Sequence, residues 1–410
     1  MSEAVKIDAS RVIADLRELA ERTSDDAGAQ RVAWTETWHE ARAFLGELLG
    51  EIGLTNETDE AGNTWARLDG AGAGEDALVV GSHLDSVPGG GWLDGALGIM
   101  TAVGVLRAYS EQPASRPLVL ADWADEEGSR FGLSLFGSSA FAGTLDTAAA
   151  AELVDADGRT MRDVLAESNV EIERAPECAA RREGLGAYLE LHIEQGPVME
   201  AKGVTVAAVE GCQGIERQRF SFRGQAGHAG TTPMAMRHDA ALAAARCAIG
   251  ISELPSEYGG VATAGELRLE PGISTAVAGV AHLTCDLRNP EPGALEAMLA
   301  GARKASAGAA EEHGCSVSEE PIFRIEPTAF DSGLVAAAKK ATEEATGSTF
   351  AITSGALHDA AQAARVLPAA MMFCPSRDGL SHAREEDTSE EDLATAIAAF
   401  GRLVAKALEL

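Results

Sequence analysis

Apolar and polar positions alternate between two periods along the chain, and the change of period marks the elements. Near the start, apolar residues recur at helical spacing over Arg11–Arg22 and again over Trp34–Ile52, with Asp8 or Ser10 available to cap the first helix. Short apolar runs of strand length follow. Asn63–Leu68 and Leu78–Gly81 read as neighbouring strands, then come PLVLA at 117–121, YLELHI at 188–193 and AAMMFC at 369–374. An Ala/Gly-rich segment, Ala96–Ala108, reads as a tightly packed helix. The polar, glycine-bearing stretch from Asp146 to Gly186 includes a helix near Met161–Ser168 and is expected to be structural.

From about Cys212 the pattern becomes that of a separate module. Strands are expected at Ile215–Arg223, Ala262–Leu269, Val280–Leu287 and Ser316–Ile325, with helices at Met234–Ile251 and Pro292–Ala307. The order β-α-β-β-α-β is that of the ferredoxin-like unit. The chain therefore divides into the first part of a larger domain, 1–212, an inserted α+β module, 213–328, and the second part of the larger domain, 329–410. The larger domain is expected to be α/β with a mixed, mostly parallel sheet.

Four of the apolar runs deliver a metal-capable side chain at or just past their C-terminal end, the edge of an open α/β sheet where ligands bind. These are His83, the adjacent pair Glu126 and Glu127, His192 and His382; Asp94 follows the turn VPGGGWL after His83. Three histidines and a carboxylate from separate strands, plus Asp94, satisfy two divalent ions with one shared carboxylate. Asp85, two residues after His83, is placed to hold its imidazole in one tautomer. Adjacent Glu126 and Glu127 suit a division of labour, one a ligand and the other a proton carrier. The remaining histidines His39, His238, His282 and His313 read as surface or locally hydrogen-bonded residues. His228, in the loop GQAGHAGTTPM, reads either as part of a flexible loop capped by Thr231 or Thr232 ahead of Pro233, or as an imidazole able to reach a substrate oxygen.

Composition narrows the classes. A length of 410 residues, 46% hydrophobic and 24% charged, is that of an ordinary globular chain of two to three domains. The net charge of −31, from 64 acidic and 33 basic residues, argues against nucleic-acid or anionic-membrane partners. The six cysteines show no paired metal spacing and read as reduced core residues of a cytoplasmic protein. The N-terminus lacks the pattern of an export signal, and no run approaches the length of a membrane span.

GSHLDSVPGGGWLDGALG, ADEEGSRFGLSLFGSSAFAG, LELHIEQGPVME, GQAGHAGTTPM, DLRNP and SRDGLSHAREE resemble, in order, the motifs of the metal-dependent amidohydrolases of the N-carbamoyl-L-amino-acid hydrolase and allantoate amidohydrolase group, relatives of the di-zinc aminopeptidases and carboxypeptidases. The resemblance implies a di-metal aminopeptidase-like catalytic domain with a lid and dimerisation domain inserted, hence a homodimer. It implies that His83, Asp94 and His192 bind one metal and that Asp94, Glu127 and His382 bind the other, the metals being Zn²⁺ or Mn²⁺, Co²⁺ or Ni²⁺. It makes Glu126 the general base, His228 of the partner's lid the group that polarises the carbonyl, and Gln195 and Arg288 substrate contacts. A histidine at the third motif favours a ureido or amide acid over a peptide.

Two positions depart from the family pattern. Thr275 stands where an asparagine is common, and Leu357-His358-Asp359 stands for Gly-His-Asp. Both bear on the substrate site, to which His358 is also assigned. The implied activity is hydrolysis of the C–N bond of an N-carbamoyl-L-amino acid or related ureido acid. Allantoate-type chemistry and N-acyl-amino-acid deacylation are alternatives, and a non-catalytic binding protein on the same scaffold is the alternative of another class.

Overall fold

The structure, a computed structural model, describes residues 5–72 and 76–410; the start of the stretch read as leader-free, 1–4, lies outside them. The described chain separates into two compact units, one formed by the residues up to Gly211 together with Phe330–Leu410, the other by Cys212–Ala329.

The first unit is built on a mixed sheet. Its strands lie in the order Ala207–Cys212, Ala369–Cys374, Leu185–Ile193, Ala77–His83, Leu118–Trp123, Thr64–Leu68, Asn56–Thr58. The four from Ala369–Cys374 to Leu118–Trp123 are mutually parallel, and the flanking pairs are antiparallel. Every residue of Ala77–His83, Leu118–Trp123 and Ala369–Cys374 is buried. This is the continuous apolar run of a strand covered on both faces.

Alternation sorts the side chains between those faces. Leu78, Val80, Leu118, Leu120, Leu189, Leu191, Ala370 and Met372 join one core with Val12, Leu16, Val103, Leu106, Phe400 and Leu403 of the helices Ala9–Thr23, Ala96–Glu111 and Glu390–Ala407. The intervening residues, among them Trp123, Tyr188, His192 and Phe373, face the other side, where the helices Phe136–Ala142 and Asp359–Ala363 pack. Asp8 caps the first helix through the N–H of Arg11, as its spacing predicts.

Thr64–Leu68 and Ala77–His83 are consecutive but not neighbours, contrary to the expectation from sequence, because Leu118–Trp123 lies between them. The fully buried 77–83 run takes an interior place, whereas Arg67 of 64–68 is exposed. The helix Ser332–Thr346 and the strand Ala351–Ser354 are additional to the elements expected from the sequence.

The second unit is a four-stranded antiparallel sheet in the order Val261–Glu270, Val280–Asn289, Gly214–Arg223, Ser316–Ile325. Numbered within the unit this is 2-3-1-4, with the helices Ala240–Glu253 and Pro292–Glu312 packed over Phe220, Phe222, Leu283, Cys285 and Leu287. One helix begins later than expected. Thr231 and Thr232 do not cap it. A single turn at Met234–Met236 follows Pro233, and Asp239 caps the helix from Ala240 by accepting the N–H groups of Ala241 and Leu242. The Arg237 guanidinium binds the carbonyls of Ala229 (2.6 Å) and Thr232 (3.0 Å), which holds the preceding segment as a loop.

All six cysteines are free thiols, five of them buried. Among the described residues no helix is long and apolar enough to cross a membrane. With a net charge of −31, like-charge repulsion opposes the compact state and is screened by salt. Raising KCl from about 10 mM to about 1 M shortens the Debye length from ~30 Å to ~3 Å and is expected to raise the thermal midpoint by several degrees. Circular dichroism melts check this, and a flat or falling midpoint contradicts it.

Candidate metal centre

The strand register brings the proposed ligands together. Val80 is paired with Leu189, so His83 and His192, each three residues further on, reach the same sheet edge on the same face. Phe373 is paired with His192, and His83 with Trp123, which brings the loops carrying His382 and Glu126–Glu127 to that edge too. Asp94 arrives on the turn that opens the helix Ala96–Glu111. Gly95 has φ +65° and a Cβ there would lie 2.4 Å from the His83 ring, so only glycine lets this turn close over the imidazole.

Asp94 stands between two sets of groups. Its Oδ1 is 3.2 Å from Nε2 of His192 and 3.9 Å from Nε2 of His83. Its Oδ2 is 3.3 Å from Nε2 of His382, which lies 3.4 Å from a Glu127 carboxylate oxygen. Within each set, His83–Asp94–His192 and Asp94–Glu127–His382, the ligand atoms all fall within 4.8 Å of one another. The other oxygen of Glu127 is buried and without a hydrogen-bond partner. An imidazole and carboxylate donor set with one such orphaned oxygen fits a pair of divalent cations sharing Asp94. Glu190, His192 and His358 form a third close grouping. There the Glu190 oxygens already accept from Ser82 (2.7 Å), Tyr188 (3.1 Å) and the N–H of Ala360 (3.2 Å).

The surroundings aim the ligands. Nδ1 of His192 is 2.9 Å from the Ile193 carbonyl, and Nδ1 of His83 is 3.1 Å from that of Asp85, which turns both Nε2 atoms toward Asp94. The expected grip of the Asp85 side chain on His83 is thus made by its backbone instead. The strand ends at His83, and the Asp85 carboxylate, 3.7 Å from Nδ1, accepts the N–H groups of Glu126 (3.2 Å) and Glu127 (3.0 Å). Asp85 therefore ties the ligand loop after one strand to that after the next. Trp34 and Asp125, both at positive φ, are joined by an indole N–H bond of 2.8 Å. Such backbone strain persists only where the surroundings over-determine it, and here it sits beside Glu126.

Burial dominates the electrostatics. It pushes the Asp122 carboxyl up to about 6 and that of Asp125 to about 7. It raises Glu126 well above the carboxylate range, reinforced by the nearby Asp359 and Glu127 charges. A buried carboxyl of high proton affinity is suited to take a proton from an attacking water. Burial also lowers His83, to about 4. For His192 the same desolvation is outweighed by the bond and charge of Asp94, which lift it to about 9. Asp94 itself is held well below its ordinary value by His192 and His382, against its own burial.

Other residues singled out by sequence are distributed as follows. Nε2 of Gln195 lies 2.9 Å from Asp94 and 3.3 Å from Nε2 of His382. His358 is buried behind His192, ring centroids 4.5 Å apart, with Nε2 3.0 Å from Ser354 Oγ. His228 and Thr275 belong to the second unit and are exposed on adjacent segments, with Ala229 N–H bonded to the Thr275 carbonyl at 2.9 Å. Arg288, on Val280–Asn289, is paired with Asp286 at 2.8 Å. His39, His238 and His282 are engaged locally, with Ser168, the Gly314 carbonyl and Ser221. Two further groups carry no signal in the sequence: Arg42, whose Nε is 2.8 Å from Asp122, and Glu386, whose carboxylate accepts the N–H groups of Leu93 and Asp94. Its adjacency to Glu385 hides Glu386, since nothing in a run of acids tells the buried one from the exposed.

A histidine raised from 6.5 to about 9 binds more proton folded than unfolded, so its stabilising contribution is complete below pH ~6.5 and lost as pH rises through ~9. Chelator-treated protein is therefore expected to lose stability in urea titrations between pH 6.5 and 9. His192→Asn is expected to flatten that dependence, and an unchanged slope in the variant contradicts the assignment.

The sequence model of the peptidase family M20/M25/M40 matches residues 79–406. The chain is 33% identical, over 90% of each chain, to an N-carbamoyl-L-amino acid amidohydrolase of Geobacillus stearothermophilus. It is 31% identical, over 93% of each, to an allantoate amidohydrolase of Bacillus subtilis (strain 168). A crystal structure of an amidase of the hydantoinase/carbamoylase family from Burkholderia multivorans superposes with a TM-score of 0.90 at 32% identity, over 99% of both chains. With the strand-end ligand geometry and matches along nearly its whole length, this chain belongs to the M20/M25/M40 peptidase family and, within it, to the hydantoinase/carbamoylase amidohydrolases.

Proposed function

We propose that this amidohydrolase cleaves the ureido C–N bond of an N-carbamoyl-L-amino acid or a close ureido acid, with two divalent cations held by His83, Asp94, His192, Glu127 and His382. The observation that carries this reading is Asp94, whose two oxygens face separate imidazoles beside the buried Glu126. Relatives named for N-carbamoyl-L-amino acids support the substrate class. Zn²⁺, Mn²⁺, Co²⁺ and Ni²⁺ all suit these ligands.

A ureido carbonyl is resonance-stabilised and resists water. When bound, the ions supply Lewis acidity, lowering the pKa of water from about 15.7 towards ~7 and polarising the carbonyl. Glu126 takes the proton of the attacking water and passes it to the departing nitrogen, for which a carboxyl of raised proton affinity is suited. Water adds across the C–N bond, the amino acid leaves with its nitrogen protonated, and the remaining carbamate breaks down to ammonia and carbon dioxide. Asp85 keeps the Glu126 loop in place, and His358 backs His192. Gln195, within reach of Asp94 and His382, borders the substrate.

His228 and Thr275 lie beyond the Val280 end of their sheet, whereas Arg288 is eight residues along the strand, about 27 Å away at ~3.4 Å per residue. One small molecule cannot touch all three in a single copy. In this reading a homodimer resolves the problem, Arg288 gripping the substrate carboxylate and the partner's lid bringing the imidazole to the oxyanion. The exposed Leu242 and Ile249 on one helix, with Val261 and Leu267 on the edge strand, offer apolar surface for that association. Thr275 and the half-buried Leu357 favour a second reading, N-acyl-amino-acid deacylation, since threonine offers fewer hydrogen-bond groups than asparagine.

Metal-stripped protein reloaded with Zn²⁺, Mn²⁺, Co²⁺ or Ni²⁺ is expected to release ammonia from an N-carbamoyl-L-amino acid. Release of a carboxylate from N-acyl substrates alone would select the second reading, and tight binding of unchanged ligand would indicate a binding protein. Glu126→Gln is expected to lower kcat by about 10²–10⁴-fold while metal content, read by elemental analysis, stays at the wild-type level. Near-native turnover would remove Glu126 from the role of base.

A further inference from the structure

The proposed ligands are not equally anchored. His83 and His192 sit on buried strands, at most 2% exposed, whereas the His382 side chain is 50% exposed, on a loop, at φ +54°. That loop is tied to the Asp94 turn through Glu386, which is 1% exposed. One of its oxygens accepts the N–H groups of Leu93 (3.1 Å) and Asp94 (3.0 Å), and the other accepts the hydroxyl of Ser381 (3.1 Å), the neighbour of His382. Ser381 in turn reaches Asp94 Oδ2 at 3.3 Å. Asp387 extends the contact through the Trp92 indole N–H at 3.3 Å and the Arg377 guanidinium. The absence of a side chain at Gly91 makes room for Glu386: a Cβ there would fall 2.1 Å from its carboxylate.

We propose that Glu386 is a positioning residue that sets the second cation site by holding the His382 loop against the Asp94 turn. This rests on the two-metal reading above. The Asp94–Glu127–His382 site depends on the clasp through both Asp94 and the His382 loop, while the His83–Asp94–His192 site shares only Asp94 with it and takes its two imidazoles from strand ends. Loss of the clasp therefore weakens one ion selectively, leaving a protein that still folds and still binds the other.

Titration of chelator-stripped protein with Co²⁺, followed by its d–d absorption, counts the ions and ranks their affinities, and circular dichroism melts report the fold. Wild type is expected to take two ions. In Glu386→Ala the weaker ion should lose about 10–100-fold in affinity, the range for groups that orient metal ligands, with the tighter ion and the melting temperature near wild type. Glu386→Gln keeps an oxygen for both N–H groups and should restore most of the loss. Gly91→Ala, which crowds the carboxylate without removing it, should reproduce the Glu386→Ala pattern. Two ions bound as in wild type by Glu386→Ala would overturn this inference alone. So would equal weakening of both ions with a lowered melting temperature, which would make Glu386 a general structural residue. Wild-type protein that binds one ion or none would overturn the two-metal reading, and this inference with it.

Discussion

A single buried carboxylate, Asp94, governs the first unit. Charge in a low-dielectric interior is costly unless it is paired, and here it is compensated by imidazoles approaching from two directions. The parallel strands end level with one another, which brings the His83 and His192 imidazoles to it side by side. The glycine after Asp94 follows from the same need, since the turn presenting this carboxylate passes against the His83 ring. Around this centre lies a belt of further buried acids, Asp85, Asp122, Asp125, Glu126 and Glu190. Most are tied to backbone N–H groups, indoles, hydroxyls or Arg42. Acids gathered at a buried sheet edge, with imidazoles beside them, form a donor set that suits divalent cations.

Much of this was legible in the chain because strand ends and chemistry coincide. His83, His192 and the Glu126–Glu127 pair each follow an apolar run, so pattern and residue type reinforced one another. The inserted unit was equally readable, since its alternating strands and amphipathic helices keep their periods. What escaped was non-local. That Leu118–Trp123 lies between two consecutive strands depends on which run is fully buried, a property of the assembled sheet. Asp85 was assigned to its sequence neighbour His83, but its carboxylate serves a loop some forty residues on, which period-two reasoning cannot reach. The late start of the helix at Ala240 had a local cause. Asp239 competes with Thr231 and Thr232 as a cap, and Arg237 decides between them by fastening the loop.

The second unit separates its tasks along a sheet. One face carries the apolar core under two helices, and the other presents alternating Arg217, Arg219, His282, Thr284, Asp286 and Arg288. Arg217 and Arg288 share Asp286, so the guanidinium assigned to substrate is oriented before any ligand arrives. Pre-organisation of this kind reduces the entropy lost on binding. The loop with His228 is fastened by backbone bonds and Arg237, which leaves its imidazole exposed on a defined hairpin.

The insertion has a consequence for biosynthesis. Ala369–Cys374 occupies an interior position of the parallel sheet, yet it is made only after the whole of Cys212–Ala329 has emerged from the ribosome. Until then the edge of Leu185–Ile193 that this strand will cover has no permanent partner, and the nascent chain carries an apolar strand open to mispairing. The inserted unit, whose apolar core is drawn from its own residues, can fold during that wait. The larger unit is therefore completed from its C-terminal end, and His382 can join the other four candidate ligands only after the inserted unit has been made.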